Sequence, residues 1–276
     1  IKWAGGKTQL LEPISTLLPA RIQTYYEPFI GGGAVFWALA TAKRFARAVI
    51  NDWNQEIVDT YLVVRDFTDD LVPLLARLKQ EYIEAPEATF MRERAKDPTT
   101  LAPLHRAARF LFLNRTGFNG MYRVNKKGQF NVPWGKYENP KILDEPLLRA
   151  CSQALDRFVV IRQGDFAAAV ADAQQGDVVY LDPPYVPVNA TSNFTGYTSG
   201  GFGLNDQHRV ALCFAELAER GVAVVASNSD TEVVREIYKG WEMRQIPARR
   251  NINSKGDRRG PVMELLIVGR RGSFSG

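Results

Sequence analysis

The chain has 276 residues, a formal net charge of +5, and 45% hydrophobic and 24% charged residues. These proportions are ordinary for a folded globular protein and exclude a disordered or low-complexity chain. The longest apolar runs, such as residues 222–226, are much shorter than the roughly 20 residues of a membrane span, so we expect no membrane partner. The mildly basic charge permits a nucleic-acid partner but does not establish one.

The cysteine and histidine content argues against covalent or metal cross-links. Cys151 and Cys213 are far apart in the sequence, and we expect two ordinary buried thiols in a reducing cytoplasm rather than a disulfide. His105 and His208 are the only histidines, so we expect no zinc cluster and no other metal site. The sequence begins at Ile1 rather than Met, so we expect a few preceding residues, and it contains no signal peptide.

The first part of the chain alternates between strand and helix patterns. Residues 22–27 predict a strand that leads into a glycine turn, and residues 35–42 predict the helix after it. A second strand over 47–50 ends at Asp52, and Asn54 is typical of the N-cap of a following helix.

The middle of the chain has a different pattern. From about Leu71 to Leu113 the apolar residues recur with helical spacing, and no strand is predicted. Residues 114–137 carry four glycines, five aromatic residues and five basic residues, and the NKKGQ stretch at 125–129 is typical of a hairpin turn.

Alternation of strands and helices returns after about residue 150. Strands are predicted at 158–161, 178–181, 222–227 and 263–268, with helices over 205–219 and 231–238. The near-continuous apolar character of these strands favours a parallel sheet covered on both faces. The whole pattern predicts one α/β domain interrupted by an inserted domain over roughly 57–145.

The glycine turn at residues 27–33, EPFIGGG, has the character of a ligand-binding loop. Glycines between a strand and a helix let the backbone approach a ligand closely. Asp52 lies at the end of the next strand, where a carboxylate commonly binds the hydroxyls of a nucleotide ribose. The alternative is a structural turn with an exposed Asp. The pattern fits a dinucleotide or S-adenosylmethionine, and Phe36 at the third glycine position of the G-x-G-x-x-G motif disfavours NAD.

The Asp182-Pro183-Pro184-Tyr185 sequence follows the strand predicted at 178–181. Two prolines make the turn stiff, and α/β proteins bind ligands at this edge of the sheet. Asp182 and the Pro183 carbonyl can each accept one N–H of a planar amino group, which favours a tetrahedral nitrogen whose lone pair faces an electrophile. Tyr185 can stack on a base for about 1–3 kcal/mol. The alternative is a strand-ending turn with a surface Asp.

Several motifs occur together in one order, and together they resemble the alpha group of Dam-type adenine-specific DNA methyltransferases. The likeness extends over nearly the whole chain. It is carried by KWAGGK at 2–7, the turn at 27–33, Asp52, NRTGFNG at 114–120, FNVPWG at 130–135, DPPY at 182–185, NFTGY at 193–197 and SNSDT at 227–231.

The resemblance implies a Rossmann-like, S-adenosylmethionine-dependent methyltransferase sheet of α/β class. Its catalytic and cofactor-binding domain would comprise residues 1–56 and 146–276, with a helical and hairpin target-recognition domain at 57–145. The catalytic residues would be Asp182, Pro183, Pro184 and Tyr185. The residues that would contact the cofactor are Trp3, Lys7, Phe29, Gly31, Gly33, Asp52, Asp165, Phe166 and Asp182. Trp3 could instead be a core residue.

The implied substrate is adenine in double-stranded DNA, which must be flipped out of the helix to reach Asp182. Phe118 could wedge into the base stack, Asn119 and Arg123 are types that read base edges, and the lysines of the hairpin could bind phosphates. The residues expected to bind DNA are Lys2, Phe118, Asn119, Arg123, Lys126, Lys127, Pro133, Tyr137, Asn193, Arg249, Arg250 and Lys255. The basic residues of the hairpin and of 249–259 could instead be solvated loops.

The resemblance to members that methylate GATC predicts GATC as the target, although Met121 and Val124 depart from the commonest hairpin sequence. Other functions remain open: the same chemistry on cytosine, on RNA or on a glutamine amide, a DNA-binding module without catalysis, and a nicotinamide-dependent oxidoreductase. We expect a cytoplasmic monomer. The sequence leaves its role open between restriction-modification, repair marking, phage defence and gene regulation.

Overall fold

The structure is a computed structural model that describes residues 1, 10–125, 127–187, 202–248 and 262–269. Its centre is a seven-stranded sheet. The strands are β1 (Ile22–Glu27), β2 (Phe45–Asp52), β3 (Val159–Gln163), β4 (Val178–Leu181), β5 (Ala223–Ser229), β6 (Glu242–Ala248) and β7 (Val262–Gly269). They lie in the order β3-β2-β1-β4-β5-β7-β6. The predicted α/β, Rossmann-like architecture is confirmed.

The sheet is not parallel throughout. Neighbours among β1 to β5 pair parallel, whereas β7 pairs antiparallel with both β5 and β6. The expectation of a parallel arrangement is therefore wrong for β7, whose buried apolar run looks like that of a parallel strand. The expectation failed because β6 was not predicted, since its sequence EMRQIPA is too polar to indicate a strand. β7 pairs with β6 and returns between β5 and β6.

Helices pack on both sides of the sheet and form the middle of the chain. Within the described residues they are α1 (Leu11–Leu17), α2 (Ala34–Thr41), α3 (Gln55–Asp66), α4 (Thr68–Glu84), α5 (Pro86–Ala95), α6 (Pro103–Thr116), α7 (Glu145–Ala154), α8 (Phe166–Ala169), α9 (Leu204–Glu219) and α10 (Glu232–Ile237). The predicted cap of α3 is confirmed, because the Asn54 side chain accepts the Glu56 N–H. The helical spacing of 71–113 is also confirmed by α4, α5 and α6.

Two buried clusters occupy the two faces of the sheet. Because successive strand residues point to opposite faces, Tyr25 joins one cluster and Tyr26 the other. The Tyr25 cluster continues without a break into the helical region and includes Leu71 and Phe112. The domain boundaries near residues 57 and 145 stay a prediction.

The hairpin begins later than the predicted residue 114, because residues 114–116 complete α6, and the described residues of 117–137 form a hairpin with little regular strand. The expected turn at 125–129 is present, since the Asn125 N–H donates to the Gln129 carbonyl at 2.9 Å. Antiparallel bridges join Val124 to Phe130 and Gly117 to Trp134. The hairpin therefore rests on its turn, these bridges and its aromatic packing.

Candidate active site

The carboxyl ends of the parallel strands β1, β2, β4 and β5 bring the glycine turn, Asp52 and Asp182 to one edge of the sheet. The turn and the acid are in direct contact, because the Gly31 N–H donates to Asp52 Oδ2 at 3.0 Å. The structure thus joins two features that lie on different strands in the sequence.

The glycine turn has a backbone that requires glycine. Gly31 and Gly33 have φ values of 44° and 68°, in the left-handed region that other residues rarely adopt. A Cβ added to Gly33 would lie 2.5 Å from the Tyr61 hydroxyl oxygen. That hydroxyl donates to the Gly31 carbonyl at 3.2 Å, so α3 supports the turn from behind.

Asp52 is a half-buried carboxylate held by two backbone donors. Its Oδ2 accepts from Gly31, and its Oδ1 accepts the Asn54 N–H at 2.9 Å. Burial raises the pKa of Asp52 to about 6, and the backbone hydrogen bonds oppose that shift. A carboxylate has about four acceptor sites on its two oxygens, so the oriented Asp52 side chain can still accept a hydrogen bond from a ligand hydroxyl.

Asn51, which the sequence analysis did not single out, connects the loops that follow β1 and β3. Its buried amide donates to the Pro28 carbonyl and the Gly164 carbonyl, each at 3.0 Å. The two loops bring Phe29 onto Phe166, with ring centroids 5.2 Å apart. An amide directly after the apolar residues 48–50 of β2 and directly before Asp52 was the available signal.

Asp165 and Phe166 meet a residue from α9 that was also missed. Asp165 caps α8 by accepting the Ala167 N–H at 3.0 Å, and it pairs with Arg209 at 2.7 Å. The Arg209 guanidinium carbon lies 4.9 Å from the centre of the Phe166 ring. Arg209 thus contacts both residues expected to hold an adenine, while Phe166 itself is almost fully buried.

Asp182 is half-buried and oriented by a hydroxyl relay. Ser227 Oγ donates to Asp182 Oδ1 at 2.8 Å, and the Tyr180 hydroxyl lies 2.8 Å from the same Oγ. Because the single Ser227 proton goes to the carboxylate, Tyr180 is the donor to Ser227. Ser227 is fully buried at the end of β5, so the relay fixes Oδ1 and turns the carboxylate.

The backbone of the DPPY turn is held by a second network. The Gln207 amide donates to the Pro184 carbonyl at 2.6 Å, and its oxygen accepts from Asn228 at 2.9 Å. Asn228 Oδ1 in turn accepts the Val186 N–H at 3.2 Å. Gln207 and Asn228 are both buried and satisfied, which favours a rigid turn. The SNS segment thus braces the turn, a role that its sequence did not reveal.

Tyr185 is anchored through its hydroxyl. The Tyr185 O–H donates to Glu264 Oε2, on β7, at 2.8 Å. Burial raises the pKa of Tyr185 well above its ordinary value, and the negative charge of Asp182 adds to that shift, so the hydroxyl stays neutral. Glu264, which the sequence did not indicate, therefore sets the direction of the aromatic ring.

The hairpin presents several of the residues expected to contact DNA. Phe118 is 48% exposed, and Asn119 has a left-handed φ of 56°. The Asn119 N–H donates to the Tyr137 hydroxyl at 3.0 Å, so Tyr137 supports that turn. The Arg123 Nε donates to Asn131 Oδ1 at 2.7 Å and Nη2 donates to the Asn131 carbonyl at 3.2 Å, which leaves the other guanidinium N–H groups for a base edge.

Pro133 and Lys127 are also exposed on this hairpin. The other predicted contacts lie outside the described residues. They are Lys2, Trp3, Lys7, Lys126, Asn193, Arg249, Arg250 and Lys255.

Within the parts of the chain that the structure describes, no group of His, Cys, Asp and Glu side chains could hold a metal ion. No described helix is long and apolar enough to cross a membrane. Cys151 and Cys213 are free thiols in the structure; Cys213 is buried, but the expectation of two buried thiols is wrong for Cys151, which is only partly buried.

Comparison with known proteins gives a consistent result. Residues 3–252 match the family model of the D12 class N6 adenine-specific DNA methyltransferase. A type II methyltransferase from Lactococcus lactis subsp. cremoris is 42% identical over 272 residues, covering 97% of this chain and 93% of that protein. A type II methyltransferase from Methanocaldococcus jannaschii is 40% identical, with 97% of each chain covered. The DNA adenine methylase of Escherichia coli K12 is 36% identical, covering 100% of this chain and 96% of that protein.

Proposed function

The chain belongs to the D12 class of N6 adenine-specific DNA methyltransferases, and from this premise we propose that Asp182, Pro183, Pro184 and Tyr185 form its reacting centre and that its target is GATC. The enzyme transfers a methyl group from S-adenosylmethionine to adenine in DNA. The observation that carries the proposal is the Ser227–Asp182 hydrogen bond of 2.8 Å beside the braced DPPY turn, because it presents a fixed carboxylate at the ligand-binding edge of the sheet.

The residues on this edge fit S-adenosylmethionine. Asp52 offers an oriented carboxylate to the ribose hydroxyls, and the Gly31–Gly33 backbone, which carries no side chains, permits a ligand to approach closely. Phe29 and Phe166 form an aromatic pair near the end of β3, with Asp165 as an acceptor for an adenine amino group. We propose that Trp3 and Lys7, from outside the described residues, complete this site.

S-adenosylmethionine, when bound, supplies a methyl carbon on a positively charged sulfur. In the proposed mechanism Asp182 and the Pro183 carbonyl each accept one N–H of the target amino group. The two hydrogen bonds draw the nitrogen lone pair out of the ring system and direct it towards the methyl carbon.

Transfer to the amino nitrogen would break the S–C bond of the donor and leave the bonding pair on sulfur, so the methylated nitrogen would have to lose one proton. Asp182, which already accepts one of its N–H groups, is placed to take that proton and pass it to solvent. Tyr185, directed by Glu264, stacks on the base.

We propose that the hairpin reads the target while the adenine is flipped out of the duplex. An exposed aromatic ring suits insertion into the base stack, and Phe118, on the short helical turn at the base of the hairpin, has that exposure. Arg123 is held by Asn131 with N–H groups to spare for a guanine edge, whereas Lys127 suits a phosphate. The basic residues of 249–259 are proposed to bind phosphates as well. The DNA substrate and the methyl donor of the enzyme favour a cytoplasmic location. We also propose that the enzyme works as a monomer.

The test of the target is sequencing that maps methylated adenines on plasmid DNA after incubation with S-adenosylmethionine. We expect marks at GATC and at no other motif. When the same DNA is digested to nucleosides, we expect N6-methyladenine to be the only newly methylated base. Marks at a different motif would refute the target while leaving the proposed reacting centre in place. A product methylated on cytosine would refute the reacting centre as proposed.

A further inference from the structure

The first turn of α3 lies between the cofactor acid and the hairpin. The Asn54 N–H donates to Asp52 Oδ1 at 2.9 Å, and the Asn54 side chain accepts the Glu56 N–H at 2.9 Å. Glu56 is 6% exposed, so its carboxylate points into the protein and not to solvent. A short covalent and hydrogen-bonded path thus runs from Asp52 to a buried carboxylate.

Glu56 is bound by partners from two other parts of the fold. Arg109, on α6, donates to Glu56 Oε2 at 2.9 Å, and Arg109 also donates to the Glu93 carbonyl at 2.9 Å. The Tyr122 hydroxyl donates to Glu56 Oε1 at 2.8 Å. A buried charge with this many donors is held in one position, because losing any donor leaves polar atoms unpaired.

Tyr122 belongs to the hairpin and directly precedes Arg123. Its ring packs on Phe110 and Phe130, with centroid distances of 5.4 Å and 5.9 Å. Burial raises the pKa of Tyr122 well above its ordinary value, and the Glu56 charge adds to that shift, while hydrogen bonding from Asn54 opposes it. The hydroxyl therefore stays protonated and remains a donor to Glu56.

We propose that the Tyr122–Glu56 hydrogen bond is a positioning contact that couples cofactor binding at Asp52 to base reading by Arg123. A ligand on Asp52 restrains the first turn of α3, and Tyr122 passes that restraint to the hairpin. DNA then meets a hairpin that is already ordered and loses less conformational freedom on binding. By linkage, DNA raises the affinity for S-adenosylmethionine by the same factor. This inference rests on the proposed function of Asp52 and Arg123.

The experiment is a thermodynamic cycle on the full chain. The Kd for S-adenosylmethionine is measured by calorimetry with and without a GATC duplex whose target adenine is replaced by purine, which lacks the amino group to be methylated. We expect the duplex to tighten cofactor binding about fivefold or more in the wild type. In Tyr122→Phe we expect that ratio to fall to about one, with the Kd for the cofactor alone unchanged.

Tyr82→Phe is the matched control. Tyr82 is a buried tyrosine whose hydroxyl donates to the Tyr137 carbonyl at 2.8 Å and accepts from Trp134, and within the described residues it makes no hydrogen bond to α3. Tyr82→Phe removes one buried hydroxyl that contacts the same hairpin. We expect the ratio of the Kd values without and with the duplex to equal that of the wild type. Thermal melts of all three proteins report any loss of folding.

Three outcomes would overturn the proposal: a wild-type ratio near one, an unchanged ratio in Tyr122→Phe, or an equal loss of the ratio in Tyr82→Phe.

These outcomes are distinct from failure of the proposed function. If Asp52 does not bind the cofactor, Asp52→Ala leaves the Kd for S-adenosylmethionine alone unchanged. If Arg123 does not read a base, Arg123→Ala leaves discrimination between duplexes unchanged. The Tyr122 ratio is measured independently of both.

Discussion

A single carboxylate, Asp182, is expected to account for much of the rate at the reacting centre. Asp182→Ala removes one acceptor for the amino group, and a loss of about 3–4 kcal/mol of transition-state stabilisation corresponds to about two to three decades in rate. Single-turnover methylation of a GATC duplex measures this loss, with circular dichroism to check the fold. Retention of more than a tenth of the wild-type rate would contradict the assignment.

Ser227→Ala is the matched test of orientation. It removes the donor to Asp182 Oδ1 but keeps the carboxylate. A hydrogen bond to a charged group contributes about 1.5–3 kcal/mol, so we expect a loss of at least about tenfold, smaller than that of Asp182→Ala. A rate equal to that of the wild type would show that the turn orients Asp182 without Ser227.

The raised pKa of Asp52 predicts that the affinity for S-adenosylmethionine depends on pH. Its pKa is raised to about 6, so the carboxylate gains a proton as the pH falls through that value. The neutral acid is a weaker acceptor for the ribose hydroxyls, and the affinity for S-adenosylmethionine should therefore weaken below about pH 6 and reach its plateau above it. Calorimetric titrations across this range in Asp52→Ala should show no such inflection, with affinity reduced by about 1.5–3 kcal/mol. An inflection that persists in the variant would assign it to another group.

The hairpin is the element that should determine the target sequence. Arg123→Ala is expected to cost about 1–3 kcal/mol and to relax discrimination at one base pair, because a base-edge contact is lost. Lys127, which we propose contacts only phosphate, should behave differently. Lys127→Ala should weaken binding to all sequences alike and reduce the slope of log affinity against log salt concentration by about one. The same result is predicted for Lys126→Ala. Binding to duplexes with single changes in GATC, at several salt concentrations, separates the two classes. Unchanged discrimination in Arg123→Ala would mean that another residue reads that base.

At the scale of the whole molecule, the continuous core predicts cooperative unfolding. Tyr25 of the sheet and Phe112 of α6 belong to one buried cluster, so the helical region and the sheet cannot separate without exposing it. We expect a single calorimetric transition with equal calorimetric and van't Hoff enthalpies. A saturating ligand at about 100 times its Kd should stabilise the whole transition by about 2.7 kcal/mol. Two transitions, of which S-adenosylmethionine shifts only one, would instead indicate an independently folding region at 57–145.

The sequence by itself determined the features that depend on local pattern. Apolar runs identified the buried strands β4, β5 and β7, and also β3, although β3 is an edge strand in which only Val159 is buried. Helical spacing identified α4 to α6, and Asn54 marked the start of α3, since periodicity and capping act over a few residues. The motifs with Asp52 and Asp182 also indicated the family, because glycines and prolines of fixed spacing reflect backbone geometry that those residues themselves impose.

The tertiary structure decided the rest, because it depends on contacts between residues distant in sequence. β6 is polar and forms only by pairing with β7, so no local signal predicted it or the antiparallel direction of β7. Gln207, Glu264 and Asn51 are ordinary polar residues in the sequence, and their roles arise from the carbonyls and hydroxyls that the fold brings to them. Tyr122 was likewise one aromatic residue among five in its segment, until the fold placed its hydroxyl on Glu56.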